Sequence, residues 1–198
     1  MRKLIAGLVI VAAAAVALFV LARRGFSTRT GPSAPEAWVA GNLREWSIPA
    51  NYKDMRNPVD CSTQVLKEAK AHWADHCATC HANDGTGDSM FGKTMYPRPP
   101  NMRLAPTQNQ SDGQLYYTIK NGVRLSGMPA FGKPGDQDTD SWKLICFVRH
   151  LPRLTPEEVD EMKKLNPKTP EDLEEERAEE EFLNGGPVTP EGEHQHHH

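Results

Sequence analysis

The sequence predicts a helical protein, in which a small globular domain follows one long apolar N-terminal helix. Three observations support this prediction. An unbroken apolar run covers residues 4–22. Two later segments, 62–80 and 139–151, repeat apolar residues at the i, i+3/i+4 spacing of a helix that is buried on one side. The intervening stretches hold clustered glycines and prolines, which indicate loops.

The charge is distributed unevenly over the 198 residues. Residues 1–30 carry +5, residues 31–154 carry +2 and residues 155–198 carry −10. The near-neutral middle is typical of a globular domain, and it has no basic stripe of the kind that binds nucleic acid. We therefore divide the chain into a segment at 1–24, a linker at 25–60, a domain at 61–154 and an acidic tail at 155–198.

The N-terminal segment predicts a membrane anchor. Its 19 apolar residues make a helix about long enough to cross a bilayer core of ~30 Å. A cleaved signal peptide is the alternative, since Val20-Leu21-Ala22 offers small residues near a possible cut, although the run is long for a signal core. Either interpretation places the domain on the outer side of a bacterial cytoplasmic membrane. Arg23 and Arg24 weakly oppose that orientation under the positive-inside rule.

The linker is predicted to be an extended tether, because prolines are scattered through it and polar residues dominate. Its aromatic residues are expected to pack locally on the domain surface: Trp38, Trp46 and Tyr52.

Three helices are predicted in the domain from their apolar spacing and their caps. They cover 62–80, with Ser62 or Thr63 as the N-cap; 111–121, with Ser111 as the N-cap and Gly122 as a left-handed stop; and 139–151.

The first of these helices ends in Cys-x-x-Cys-His at residues 77–81, the attachment signature of c-type haem. Two thiols at this spacing can each add to one vinyl group of a single porphyrin. His81, directly after the second thiol, then lies under the iron as an axial ligand. The motif therefore predicts one covalent haem c on Cys77 and Cys80.

Two other chemistries use a Cys-x-x-Cys pair. A thioredoxin-like dithiol needs a βαβ setting, and nothing around Cys77 indicates one. A zinc site needs a second pair of ligands, and the other cysteines, Cys61 and Cys146, are isolated. Haem attachment is the favoured interpretation, and these two remain alternatives.

The loop after the motif is predicted to support His81. A histidine that binds iron needs an acceptor for its other ring nitrogen, commonly a backbone carbonyl. Residues 91–106 hold four prolines, which make a rigid loop. Pro100 is the candidate, since a proline in such a loop can hold a carbonyl in place.

A second axial ligand is predicted at Met128, within the short loop Gly127-Met128-Pro129. Its thioether would favour ferrous iron and so raise the reduction potential. Methionine is more often a filler of hydrophobic cores, but Met128 follows His81 by 47 positions, enough chain to reach the far face of a haem. Three methionines that closely follow the motif are expected on the histidine side: Met90, Met95 and Met102.

The acidic tail is predicted to be partly helical. Thr155 to Glu158 is typical of a cap and first helical turn, and 169–182 predicts a further helix. Such a charge run is usually a solvated surface, with a docking role as the alternative. The histidine-rich end, 194–198, is either a tag or a weak metal site.

The order of these features resembles class I cytochrome c, and most closely its single-haem, membrane-anchored bacterial forms. The resemblance covers about residues 60–152. It implies an all-α cytochrome c fold whose first and last helices cross near the haem edge, with Ala69 and Trp73 against Leu144 and Phe147. It also implies that His81 and Met128 are the axial ligands of the iron. The Pro100 carbonyl would accept the hydrogen bond from His81.

The resemblance implies an electron carrier rather than an enzyme, because an iron with both axial positions filled binds no substrate. Its partners would be respiratory redox proteins, such as a quinol-oxidising complex or a terminal oxidase. The alternatives are a cytochrome subunit of a larger oxidoreductase complex, and a haem-based gas sensor or catalyst whose Met128 is displaceable. We expect no nucleic-acid partner and no small-molecule substrate.

Cys61 and Cys146 are not signatures of that family. In an exported domain paired thiols tend to oxidise, and the segments that carry them are expected to touch. A disulfide between them and two separate buried thiols are both open.

Overall fold

The computed structural model describes residues 2–23, 27–132, 138–168 and 170–183. These residues form helices, turns and loops without any strand, which confirms the all-α prediction. The helices, in chain order, are α1 (Arg2–Arg23), α2 (Ala34–Ser47), α3 (Ala50–Lys53), α4 (Thr63–His72), α5 (Ala78–His81), α6 (Met90–Thr94), α7 (Ala105–Gln108), α8 (Asp112–Asn121), α9 (Thr139–His150), α10 (Pro156–Lys163) and α11 (Pro170–Leu183). A π-helical turn (Trp73–Cys77) joins α4 to α5, and a 3₁₀ turn (Leu151–Arg153) follows α9.

The helix α1 is the long apolar element that the sequence predicts. At 1.5 Å per residue its 22 residues span about 33 Å. Residues Arg2–Val20 have a mean hydropathy of 2.6 and are long and apolar enough to cross a membrane. A signal sequence meets the same criterion, and Arg24 lies outside the described residues.

The segment that we expected to be extended contains α2 and α3. Ser33 and Glu36 form a capping box at the start of α2, which satisfies backbone N–H groups of the first turn. Pro35 lies in that first turn, where a missing N–H costs nothing. The prediction of an extended linker was therefore wrong. It rested on the number of prolines, although the capping signature of a helix was present in the sequence.

The crossing of α4 and α9 forms the centre of the domain, as the resemblance implied. The ring centroids of Trp73 and Phe147 lie 5.5 Å apart. Ala69 and Leu144 are buried in the same apolar cluster. Ser62 caps α4 by accepting a hydrogen bond from the Val65 N–H at 3.4 Å, so the predicted start of this helix is confirmed.

A disulfide joins Cys61 to Cys146, with their Cα atoms 5.5 Å apart. It ties the segment before α4 to the middle of α9, across 85 positions of sequence. Of the two alternatives for these cysteines, the structure shows the bonded one. The thiols of Cys77 and Cys80 remain free.

The domain extends further along the chain than the predicted limit at residue 154. The capping box of Thr155 with Glu158 starts α10, as predicted. Met162 on this helix is completely buried in the core, and Lys70 on α4 forms an ion pair with Glu161 at 2.9 Å. The more acidic α11 follows close to its predicted range, while 194–198 lies outside the described residues.

Candidate functional site

The two cysteines of the motif lie on consecutive turns of one helical run. Cys77 ends the π-helical turn, and Cys80 lies in α5. Both side chains are partly buried and both thiols are free. Burial, with a smaller contribution from Cys80, raises the pKa of Cys77 to about 12, so that thiol is protonated at neutral pH.

His81 ends α5 and turns its ring into the domain. Burial lowers its pKa to about 4, so the imidazole is neutral at pH 7, the form that binds metals. Its Nδ1 is buried and has no hydrogen-bond partner among the described residues. The predicted bond from this nitrogen to the Pro100 carbonyl is therefore not formed in this structure, and the role of Pro100 stays a prediction.

The glycine-rich loop after the motif folds back over the end of α5. The Gly87 N–H donates to the His81 carbonyl at 2.8 Å, and the Ser89 hydroxyl donates to the Thr79 carbonyl at 2.6 Å. A Cβ on Gly92 would lie 2.4 Å from the Cys80 carbonyl oxygen, closer than any side chain can approach. The loop therefore holds the motif through the Gly87 backbone and the Ser89 hydroxyl, and it needs a glycine at residue 92.

Trp73 connects the helix crossing to the motif. Its indole Nε1 donates to the Ala82 carbonyl at 3.0 Å, and its ring centroid lies 5.8 Å from that of His81. The sequence identified Trp73 only as a residue of the buried helix face. Its bond to the residue after His81 depends on the path of the loop, which no local spacing reports.

Met128 is partly buried in a loop held by its own backbone. The Met128 N–H donates to the Ser126 hydroxyl at 3.2 Å, and the Met128 carbonyl accepts from Val123 N–H at 3.1 Å. Gly122 turns the chain at the end of α8 with a φ of +67°. A Cβ there would lie 2.8 Å from the Met128 carbonyl. These bonds close the loop around Met128, whose role as an iron ligand stays a prediction.

Met95 lies against the methionine loop, where the sequence analysis did not place it. A Cβ on Gly127 would lie 2.1 Å from the Met95 methyl carbon, so this side chain packs directly on the residue before Met128. The other two methionines differ from it. Met90 is exposed, and Met102 packs against the hydrophobic core.

These residues fit a covalently attached haem. The chain offers two free thiols three residues apart and a neutral imidazole whose buried Nδ1 is unpartnered. It also offers a thioether on a loop closed by its own hydrogen bonds. In the described part of the chain, no group of three or more His, Cys, Asp or Glu side chains could hold a metal ion, so the zinc alternative gains no second ligand pair there.

The crossed helices and the cysteine–histidine motif are those of a c-type cytochrome domain. Residues 64–148 match the family model of cytochrome c oxidase, cbb3-type, subunit III. The match extends from the first turn of α4 to α9 and includes every residue singled out for the haem site. A comparison with curated proteins found no match. The chain thus carries a cytochrome c domain, whose role is electron transfer through haem c.

Proposed function

We propose that the protein is a membrane-anchored, single-haem cytochrome c that passes electrons one at a time between redox proteins on the outer face of the cytoplasmic membrane. One observation carries most of this proposal. The structure leaves both thiols of the motif free and places a partly buried, neutral His81 directly after them. Two thiols and a neutral imidazole in this order are the groups that attach a haem and bind its iron.

The roles of the residues follow from their chemistry. The Cys77 and Cys80 thiols would hold the haem covalently, each through one thioether bond. His81 would bind the iron through Nε2 and would donate from Nδ1 to the Pro100 carbonyl. Met128 would be the second protein ligand of the iron, through Sδ. When bound, the haem supplies a one-electron ferric–ferrous couple.

The methionine loop favours a carrier over a catalyst. A sulfur held on a loop with internal hydrogen bonds stays in place, whereas a substrate or gas needs an open position on the iron. The surrounding side chains would exclude water and set the potential through ligand type and burial. A haem-based sensor, the second candidate, would require Met128 to leave the iron.

The partners are proposed from two features. The apolar α1 is long enough to anchor the domain to a membrane, where respiratory complexes lie. The family model that the domain matches is named for a subunit of an oxidase, which supports the alternative of a subunit in a larger complex. Purification in mild detergent tests this point: a free carrier elutes alone, and a subunit elutes with its complex.

Substitution of the two methionines tests the axial ligand. In Met128→Ala the weak far-red charge-transfer band of ferric iron bound by sulfur should disappear, and the ferrous protein should bind carbon monoxide. Met95→Ala is the matched control and should keep the band. If Met95→Ala loses the band and Met128→Ala keeps it, the ligand assignment is wrong. Rapid binding of carbon monoxide by the unmodified protein would instead favour the sensor.

A further inference from the structure

The helix α2 carries an apolar face that the rest of the described chain does not cover. Trp38 and Trp46 are 67% and 68% exposed, and Leu43 is 56% exposed. Together with Val39 they fall within an arc of about 140° when the helix is viewed down its axis. An exposed patch with two tryptophans in a single 14-residue helix marks a contact surface rather than scattered surface residues.

The two ends of α2 contact the haem domain. The Tyr96 hydroxyl donates a hydrogen bond to the Glu36 carboxylate, and Ile48, directly after the helix, is buried. Between these points, Arg44 lines a cleft whose far wall includes Pro106 and Gln114. These contacts hold both ends of α2 near the domain. No residue within the helix is buried, so both tryptophans stay accessible.

We infer that the apolar face of α2 lies in the outer interface of the lipid bilayer and holds the haem domain against the membrane surface. The inference rests on the membrane attachment in the proposed function. Only the ten residues 24–33 separate α1 from α2, and even fully extended they reach about 35 Å. The start of α2 therefore stays within about 35 Å of the membrane surface whenever α1 is inserted.

The residue types also favour lipid as the occupant. Tryptophan is enriched at membrane interfaces, where an apolar ring and a polar N–H are both accommodated. The polar side of α2 carries both charge signs, Glu36, Arg44 and Glu45, so attraction to anionic lipid is not required. A short apolar stripe suffices, because the anchor makes the contact intramolecular and raises its effective concentration.

Tryptophan fluorescence in vesicles provides a direct test. The full-length haem-loaded protein is reconstituted into phosphatidylcholine vesicles, with or without bromine atoms on the upper acyl chain. Residues 1–26 contain no tryptophan, and Trp73 and Trp142 are only 2% and 5% exposed in the core. Quenching by brominated lipid therefore reports on the two tryptophans of α2 alone.

We expect brominated lipid to quench the tryptophan fluorescence of the unmodified protein. In the double variant Trp38→Phe/Trp46→Phe, brominated lipid should cause no quenching. Retention of the protein on vesicles at alkaline pH reports separately on the anchor. A protein that is retained on the vesicles but not quenched would overturn this inference and leave the anchor intact. The apolar face of α2 would then be a contact surface for a protein and not for lipid. A protein that is not retained would overturn the anchor and this inference together.

Discussion

At the scale of single residues, the site combines positions that the sequence reveals with positions that it hides. Cys77, Cys80 and His81 can be predicted from sequence because covalent attachment of haem would fix their spacing. Met128 is predicted because a glycine and a proline flank it in a short loop. The contact of Met95 with Gly127 cannot be predicted from local sequence. It depends on how two loops, far apart in sequence, run past each other.

Trp73 gives the sharpest prediction at this scale. Trp73→Phe keeps an aromatic ring in the core but removes the donor to the Ala82 carbonyl. The Ala82 carbonyl also accepts from the Gly85 N–H at 3.2 Å, so the variant loses one hydrogen bond and leaves no carbonyl unpaired. We expect the haem-loaded protein to lose about 0.5–1.5 kcal/mol of unfolding free energy, the net value of a typical hydrogen bond, with a perturbed haem spectrum. Denaturant titration measures the loss.

The control for that substitution is Trp38→Phe, at an exposed position. It should leave the unfolding midpoint unchanged for protein in detergent. Equal effects of the two substitutions would show that the indole N–H of Trp73 holds nothing in place.

At the scale of elements, the helix starts were predictable and the domain limit was not. The caps at Ser62, Ser111 and Thr155 each have a local signature, and each is formed. The acidic composition of the tail concealed the packing of α10, because only Val159 and Met162 contact the core from this helix, and two apolar residues among charged ones give a weak periodicity. The linker was misread for a related reason, since prolines outweighed a capping box.

Met162 tests whether α10 belongs to the domain. Met162→Ala should lower the unfolding free energy by about 2–5 kcal/mol, as for other buried methionines. Met90→Ala, at a position that is 82% exposed, should cost almost nothing. If the two variants are equally stable, the haem domain ends at residue 154 and α10 is not part of it.

The same packing changes how a docking role of the tail should be tested. Removal of 155–198 would expose the core around Met162, so a loss of activity could not be assigned to docking. Removal of 170–198 spares α10. If the acidic segment docks a partner, this shorter deletion should slow electron transfer to that partner and leave the haem spectrum unchanged.

At the scale of the whole molecule, the disulfide and the haem divide four cysteines between two tasks. The Cys61–Cys146 bond closes a loop that contains both cysteines of the motif. The sequence limited the pairing to two possibilities but could not choose between them, because the choice depends on how closely the segment before α4 approaches α9. The pairing leaves the motif cysteines available for attachment.

Removing the disulfide should therefore weaken the fold without changing the haem site. We expect Cys61→Ala/Cys146→Ala to lose about 2–5 kcal/mol of unfolding free energy, with an unchanged absorption spectrum. Treatment of the unmodified protein with a thiol reductant should cause the same loss of stability, because it breaks the disulfide. The haem should stay attached, because thiols do not cleave thioether bonds. Identical unfolding curves with and without reductant would contradict the pairing.

The most direct measurement of the central claim is the haem content of the purified protein. Expressed in a host that exports and attaches c-type haem, the chain should carry one haem, quantified as the pyridine haemochrome, and retain it through acid–acetone extraction. Cys77→Ala/Cys80→Ala should lose covalent haem altogether. A colourless unmodified protein, or a pigment that the extraction removes, would contradict the account.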